Sequence, residues 1–482
     1  MSGSTRSSSL STGAWLRERG MGASILVAAL STALGVVLLS ATGYLAAVLR
    51  ADPYLGGSGT LAFVLGILTT LLVGVAVYVA AIVTANTFAT IVAGRTRGIA
   101  LLRLIGASAR SQRGEVARQG LAVGAIGSVL GLVIGTGLST AGIVVAERVL
   151  GVQGVEYRVV QAVLLIPAAT VALTTWAAAW AGSRRVLTVT PLEALGGAVE
   201  RGHDEYVRRT GRNVAAIALF VAGGALLAAG ILLGLVTPLG IVVAFGGGML
   251  SFTGLALGAT LVMPPVLRLV GRLFGGSATA RLAAQNALRH PERSSRMAIG
   301  VVMGVTLVTM FAVALESAKA VLVAASGGDM PAEMTALIDT FSGIMMGIVA
   351  VSAVIAAVGL VNLLTIGVVQ RTRELGLLRA LGLSNSQVRA MVLLEAAHIT
   401  VAAVATGLVL GVAYGWAGAQ SLLGTVPVRP DAPAAATFVA PAIPLWPVVA
   451  IVAATAVLTL VASVAPTRLA TRVPPVAALA HA

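Results

Sequence analysis

Nucleotide hydrolysis on a phosphate-binding loop needs G-x-x-x-x-G-K-[ST], in which a lysine reaches the terminal phosphates. The chain has one lysine, Lys319, in the segment LESAKAV, with no such loop before it. ATP hydrolysis by this chain alone is therefore excluded. Cysteine is absent, which removes disulfides and thiol chemistry. The histidines His203, His290, His398 and His481 lack metal-ligand spacing, so no metal, cofactor or catalytic residue is expected. Glu316 and Asp339 flank the outer ends of two apolar runs, and Glu395 and His398 lie near the inner start of a third. At an interface a charged head snorkels to water, so these positions read as structural before they read as a proton path. Asn86 and Asn362 sit inside apolar runs and are expected to bridge helices.

The residues that repeat carry more information. Segment 86–108, NTFATIVAGRTRGIALLRLIGAS, aligns without a gap to 362–384, NLLTIGVVQRTRELGLLRALGLS, at an offset of 276. Asn86 matches Asn362, and Arg95 and Arg97 match Arg371 and Arg373. Leu101 and Arg103 match Leu377 and Arg379, Gly106 matches Gly382, and Ser108 matches Ser384. Further on, Gly131 and Gly135 match Gly407 and Gly411. A second pair closes each copy: Arg184, Val189, Pro191, Ala194 and Leu195 match Arg468, Val473, Pro475, Ala478 and Leu479, at offset 284. In each repeated segment a long apolar run ends at an arginine, and a short amphipathic helix follows. In the first copy Leu101, Leu104 and Ile105 share one face, leaving Arg97, Arg103 and Arg110 for water or an acidic partner. Gly106 and Gly382 end or bend that helix. A charged elbow that recurs with its spacing intact reads as a docking feature rather than a loop whose arginines serve topology alone.

These elbows need a scaffold, and composition says which. Of 482 residues, 58% are hydrophobic and 10% charged, with a mean hydropathy of +0.99. Soluble domains carry about 25% charged residues, so the solvent of this fold is mostly lipid. Apolar runs of bilayer length, about 20 residues, are expected as helices at 23–49, 61–94, 119–146, 161–182, 214–236, 239–267, 297–318, 337–369, 390–419 and 445–466. The first is too long for the core of a signal peptide and is read as a retained span. The run 61–94 carries no charge over 34 residues and should protrude from the bilayer at one end. With the N-terminus inside, 27 basic residues fall on inner segments and 5 on outer loops: Arg50, Arg148, Arg158, Lys319 and Arg429. The positive-inside rule then places both termini in the cytoplasm. The net charge of +15 is thereby accounted for by topology, and no nucleic-acid partner is expected. The outer loops are short, the longest running from about Gln420 to Pro444, which leaves no room for a large extracellular domain.

The second elbow resembles the FtsX/MacB-type permeases, membrane subunits of ABC transporters. Their pattern places an Asn in the second span of a half, then R-x-R-E-x-G-x-x-R-A-x-G on the cytoplasmic side. Asn362, Arg371, Arg373, Glu374, Gly376, Arg379, Ala380 and Gly382 fit it, and the P-x-x-A-L ending at Pro475 fits as well. The stretch 280–300, ARLAAQNALRHPERSSRMAIG, is similar to the interfacial helix that precedes a family half. In the first copy Gly98 stands where the family has an acid, and Ala100 replaces a glycine. The resemblance covers about four-fifths of the chain. It implies that Arg95, Arg97, Leu101, Arg103 and Gly106, and Arg371, Arg373, Glu374, Gly376, Leu378, Arg379 and Gly382, sit on a soluble ABC ATPase, with two copies expected for a chain of two halves.

The expected fold is therefore an all-α integral membrane protein of about ten transmembrane helices, with two parallel four-helix repeats and a two-helix insert. Residues 1–22 form a cytoplasmic tail, 23–198 the first half, 199–275 the linker and insert, 276–296 an interfacial helix and 297–482 the second half. The expected role is the permease subunit of an ATP-driven exporter or mechanical transmitter in a bacterial cell membrane. The cargo is expected to be amphipathic or lipid-like. A sensory scaffold beside a partner is the alternative, though such proteins usually display an extracellular domain. An ion-coupled secondary transporter would need a buried carboxylate at a span centre. The orientation is testable: single cysteines at Ser108, Ser183 and Ser384 should be labelled only from inside, and at Ser326 or Ser421 from outside. Outside labelling of Ser384 would reverse the topology.

Overall fold

The computed structural model describes residues 21–51, 108–150, 157–183, 210–273, 277–289, 291–327, 381–427 and 437–472. It also describes Leu377, Arg379 and single positions within 66–82 and 335–343. The described residues contain helices and connecting loops and no strand, as a hydrocarbon solvent requires: each backbone N–H and C=O must be paired within its own segment. In chain order the helices are α1 (Met21–Ala51), α2 (Ala109–Leu150), α3 (Leu165–Gly182, preceded by a 3-10 turn at Ala162–Leu164) and α4 (Thr210–Gly234). Then come α5 (Gly240–Leu257), α6 (Ala259–Gly271), α7 (Ala278–Arg289), α8 (Pro291–Ala325), α9 (Asn385–Leu423) and α10 (Leu445–Arg472). Seven helices, α1 to α5, α8 and α9, are long and apolar enough to cross a bilayer, and α10 carries a shorter apolar stretch, Leu445–Val461. The expected spans 61–94 and 337–369 fall outside the described residues apart from single helical positions.

Two boundaries differ from the sequence expectation. The run 239–267 is two helices, broken at Gly258 between α5 and α6. Pro264 and Pro265 inside α6 lack the N–H groups that would continue a straight span. The Ser295 hydroxyl donates to the Ala259 carbonyl at the break (3.1 Å). The interfacial helix ends at Arg289 rather than near 296, because Pro291 starts α8, where a missing N–H costs nothing. Ser294 closes that corner by donating to the Ala287 carbonyl (2.7 Å). The labelling positions also need revision. Ser183 and Ser421 are fully buried, so Ser108, Ser384 and Ser326, which are exposed, are the usable reporters.

Lipid-embedded helices gain little from hydrophobicity when they pair, so close van der Waals packing must hold them. Glycine makes that approach possible here, in two seams of the same register. On α2, a Cβ added to Gly131 would lie 2.6 Å from the Thr32 Cβ of α1, and one on Gly135 would lie 2.8 Å from the Val36 Cβ. On α9, a Cβ on Gly407 would lie 2.8 Å from the Val305 Cβ of α8, and one on Gly411 would lie 2.5 Å from the Thr309 Cβ. The glycines are 276 apart in sequence and their partners 273. The next seam repeats too: Gly124 of α2 meets Thr175 of α3, and at the matching positions Thr400 of α9 hydrogen-bonds Thr459 of α10 (3.1 Å). Other hydroxyls bond back to the carbonyl four residues earlier, as Ser139 does to Gly135 (2.8 Å) and Thr455 to Ile451 (2.7 Å), while those of Thr32 and Thr309 in the seams have no partner among the described residues.

The main core joins these units. Val27 and Leu34 of α1, Phe252 of α5, Met263 and Leu267 of α6, Met297 and Val302 of α8 and Ile399 and Ala402 of α9 belong to one buried cluster. The α4–α5 hairpin therefore belongs to the core rather than hanging from it. The seam predicts a contrast. Gly131→Ala and Gly411→Ala should each cost about 1–3 kcal/mol through overpacking. Gly137→Ala and Gly142→Ala, where an added Cβ meets nothing within 4 Å, should be neutral or slightly stabilising. Thermal unfolding midpoints in detergent would distinguish the pairs, and equal effects would reject the seam.

Candidate functional site: the cytoplasmic elbow and the corner behind it

The second elbow approaches α9 through one turn of helix. Leu381 donates its N–H to the Leu377 carbonyl (2.9 Å) and Gly382 to that of Arg379 (3.1 Å). The turn stops at Gly382, whose φ is +105, a conformation that an L side chain resists. Two residues later a capping box opens α9. Ser384 Oγ accepts from the Gln387 N–H (3.2 Å), and Gln387 Oε1 accepts from the Ser384 N–H (2.9 Å). In the first copy Ser108 plays the matching part: its Oγ accepts from the Ser111 N–H (3.1 Å) at the start of α2. In both copies a serine thus precedes the start of a long helix and caps its first turn.

Of the expected docking residues, Arg379 and Gly382 are described. Arg95, Arg97, Leu101, Arg103, Gly106, Arg371, Arg373, Glu374, Gly376 and Leu378 lie outside the described residues, as do Asn86 and Asn362. Among the described residues no group of acids and histidines is placed to hold a metal ion.

Glu395 does not snorkel. It is 6% exposed, and its carboxylate accepts from the Asn286 amide of α7 (2.5 Å). His398, one turn on, is also buried, and its Nε2 donates to the Leu267 carbonyl of α6 (2.7 Å). Ala283 of α7 packs with Val388, Met391 and Val392 of α9 around the same corner. The helix that begins at the elbow is therefore bonded, within about three turns, to both the interfacial helix and α6. Asn286 was not singled out from the sequence. It precedes the apolar span in a helix of weak hydropathy, and nothing local marks it as a partner for an acid 109 residues away.

Depth matters to what Glu395 can do. Ser421 of α9 touches Gly234 at the tip of the α4–α5 hairpin. With that tip taken as one membrane boundary, a bilayer core of about 20 helical residues ends near residue 401, which puts Glu395 near the opposite boundary. The arrangement is that of a fixed corner rather than a proton site at a span centre.

At the other end of α9 the loop 437–444 is held much as a strand would be. Gln420 Nε2 donates to the Thr437 carbonyl (2.8 Å), and the Val439 N–H donates to Gln420 Oε1 (2.7 Å). Trp416 Nε1 donates to the Val439 carbonyl (2.9 Å), and the Ala442 N–H donates to Ser317 Oγ of α8 (3.0 Å). Lys319 pairs with Asp339 at the same end (2.5 Å). These groups read from sequence as an ordinary loop, because their partners are backbone atoms that no side-chain pattern announces.

The pattern of the FtsX-like permease C-terminal domain matches the chain twice, over residues 70–191 and 346–475. Both matched stretches contain an elbow and the long helix that follows it. The chain is 38% identical over 73 residues to the ABC transporter permease YtrF of Bacillus subtilis (strain 168), covering 15% of this chain and 16% of that one. It is 30% identical over 105 residues to the uncharacterized ABC transporter permease YknZ of the same organism, covering 22% and 24%. The aligned stretches thus span no more than about a quarter of either relative.

The corner makes a prediction. Glu395→Ala strands the Asn286 amide in a buried site and should cost about 1–3 kcal/mol. Glu395→Gln keeps an acceptor and should cost less. Thermal midpoints of the purified protein would show the order. A Gln variant as damaged as the Ala variant would mean that charge, not the hydrogen bond, holds the corner.

Proposed function

This chain belongs to the FtsX-like permease family, and from that premise we propose that it is the membrane subunit of an ATP-driven transporter that exports or mechanically displaces an amphipathic or lipid-like cargo. The observation that carries the proposal is the elbow RTRELGLLRALG at 371–382, which fits the family pattern at every fixed position and has a degenerate copy at 95–106, at an offset of 276. The family consists of multi-pass membrane subunits, and the relatives are named as ABC transporter permeases. Energy would come from a separate soluble ATPase, because this sequence has no phosphate-binding loop. Two parallel halves would engage two ATPase copies, with both termini cytoplasmic. The repeated glycine seams α1–α2 and α8–α9 support the two-half reading, as does the double family match. A lipid-like cargo fits helices whose outward faces are apolar throughout, such as Val129, Val133 and Leu138 of α2. A rigid elbow suits force transmission: Gly382 sets a sharp corner, the Ser384 capping box starts α9, and Glu395 anchors that helix to α7.

The two elbows differ in one chemically active position. Glu374 suits the start of its helix by about 0.3–1 kcal/mol, and it can pair with a base on the ATPase, where docking removes water. Gly98 offers neither effect and costs its helix about 1 kcal/mol relative to alanine. The second elbow therefore carries most of the coupling.

Reconstitution tests the scheme in one assay. The purified chain should turn over no ATP. Gently solubilised from its native membrane, it should bring down a soluble ATPase at about two copies per chain. In that complex Glu374→Ala or Glu374→Arg should reduce stimulated turnover while the protein stays folded, and Gly98→Ala should be nearly silent. ATP turnover by the chain alone would refute the proposal, and equal small effects at the two positions would remove the asymmetry.

A further inference from the structure

The α4–α5 hairpin lies outside both stretches matched by the family pattern, and the structure gives it a task. The hairpin is itself tight: a Cβ on Gly230 would lie 2.5 Å from the Ala244 backbone nitrogen, so its two helices touch backbone to backbone. One flank meets α9 of the second half. Ser251 Oγ and Tyr414 Oη hydrogen-bond (2.9 Å), and Gly418 faces Ile241. The other flank meets the second span of the first half. Tyr78 Oη donates to the Met249 carbonyl (2.8 Å) and lies 2.8 Å from Thr253 Oγ1. The Tyr78 ring stands edge-on to Phe252, with centroids 6.4 Å apart, and a Cβ on Gly74 would lie 3.0 Å from the Phe245 ring. Both tyrosine hydroxyls are thus bonded to the hairpin at a depth where water is scarce, so they tie helices together rather than wait for cargo.

The tyrosine hydrogen bonds have no counterpart in the repeated sequence. At the offset of 276 the counterpart of Tyr78 is Val354, and that of Tyr414 is Leu138. Neither can make the hydrogen bond. Leu138 is 57% exposed, and Leu130, Val133 and Ile134 of α2 are exposed as well. The hairpin thus meets α9 through a contact that the matching α2 residue cannot repeat.

We propose that the α4–α5 hairpin is a fixed wedge that binds the second span of the first half to α9 and keeps both of its flanks closed through the transport cycle. This rests on the two-half transporter reading.

The chain has no cysteine, so introduced pairs report cleanly. Gly418→Cys with Ile241→Cys, and Gly74→Cys with Phe245→Cys, span the two flanks of the wedge. Treated in native membranes with a short bifunctional methanethiosulfonate, both pairs should link with yields that agree within two-fold without nucleotide, with ATP and after vanadate trapping. The linked chains should keep at least half of the ATP turnover of the complex. A five-fold fall in yield in any state, or a ten-fold loss of turnover on linking, overturns the wedge. If the unlinked complex shows no ATP turnover, the ATP-driven reading fails, and the nucleotide-free cross-link yields still decide the wedge: failure of either pair to link in native membranes overturns it.

Discussion

Everything in this fold follows from the poverty of forces available between helices in lipid. The side chains of two apolar helices are as well solvated by acyl chains as by each other, so association depends on close contact and on the few hydrogen bonds that cross between helices. At Gly131 and Gly135 of α2, and Gly407 and Gly411 of α9, the absence of a Cβ lets backbones approach to a distance that any other residue would prevent. Where side chains do cross, they do so in hydrogen bonds, as Thr400 with Thr459, Ser251 with Tyr414 and Asn286 with Glu395. Each half can therefore behave as a stiff block. On the proposed reading, a machine driven from one end needs that property, since a soft helix pair would absorb a stroke instead of passing it on.

On the same reading the second half offers a stroke a route into such a block. The chain turns at Gly382, starts again at the Ser384 cap and is bonded to α7 through Asn286 and Glu395. The opposite end of the same helix is pinned by Gln420 and Trp416 to the loop 437–444. An element fixed at both ends tilts or shifts as a whole. The buried carboxylate is then explained by geometry: it satisfies an amide on a neighbouring helix where snorkelling would have left that amide unpaired. Gly98, in the place of Glu374, shows that the two elbows are not equivalent, and the hairpin wedged against α9 adds an asymmetry of packing to one of sequence.

Much was legible in the residues themselves. Composition alone determined that lipid is the main solvent, because so few charges cannot keep such a chain in water. The seven described helices long and apolar enough to cross a bilayer were readable from apolar length, which reports the bilayer thickness directly. The repeat was readable because the two copies keep one spacing, from Arg95 and Arg371 to Gly135 and Gly411. The lone lysine left the sequence without a phosphate-binding loop of the G-x-x-x-x-G-K-[ST] type.

Tertiary structure decided what depends on partners distant in sequence. Glu395 looks like an interfacial acid until α7 brings Asn286 against it, and Ser421 looks like a surface residue until the hairpin tip covers it. The break at Gly258 sits inside a continuous apolar run, and hydropathy cannot register it, because a bend does not change the average. Tyr78, Ser251 and Tyr414 are three ordinary residues in three separate spans. Only packing brings them to one seam, since a hydrogen bond between helices depends on the rotation and depth of both, and a sequence specifies these jointly rather than one helix at a time.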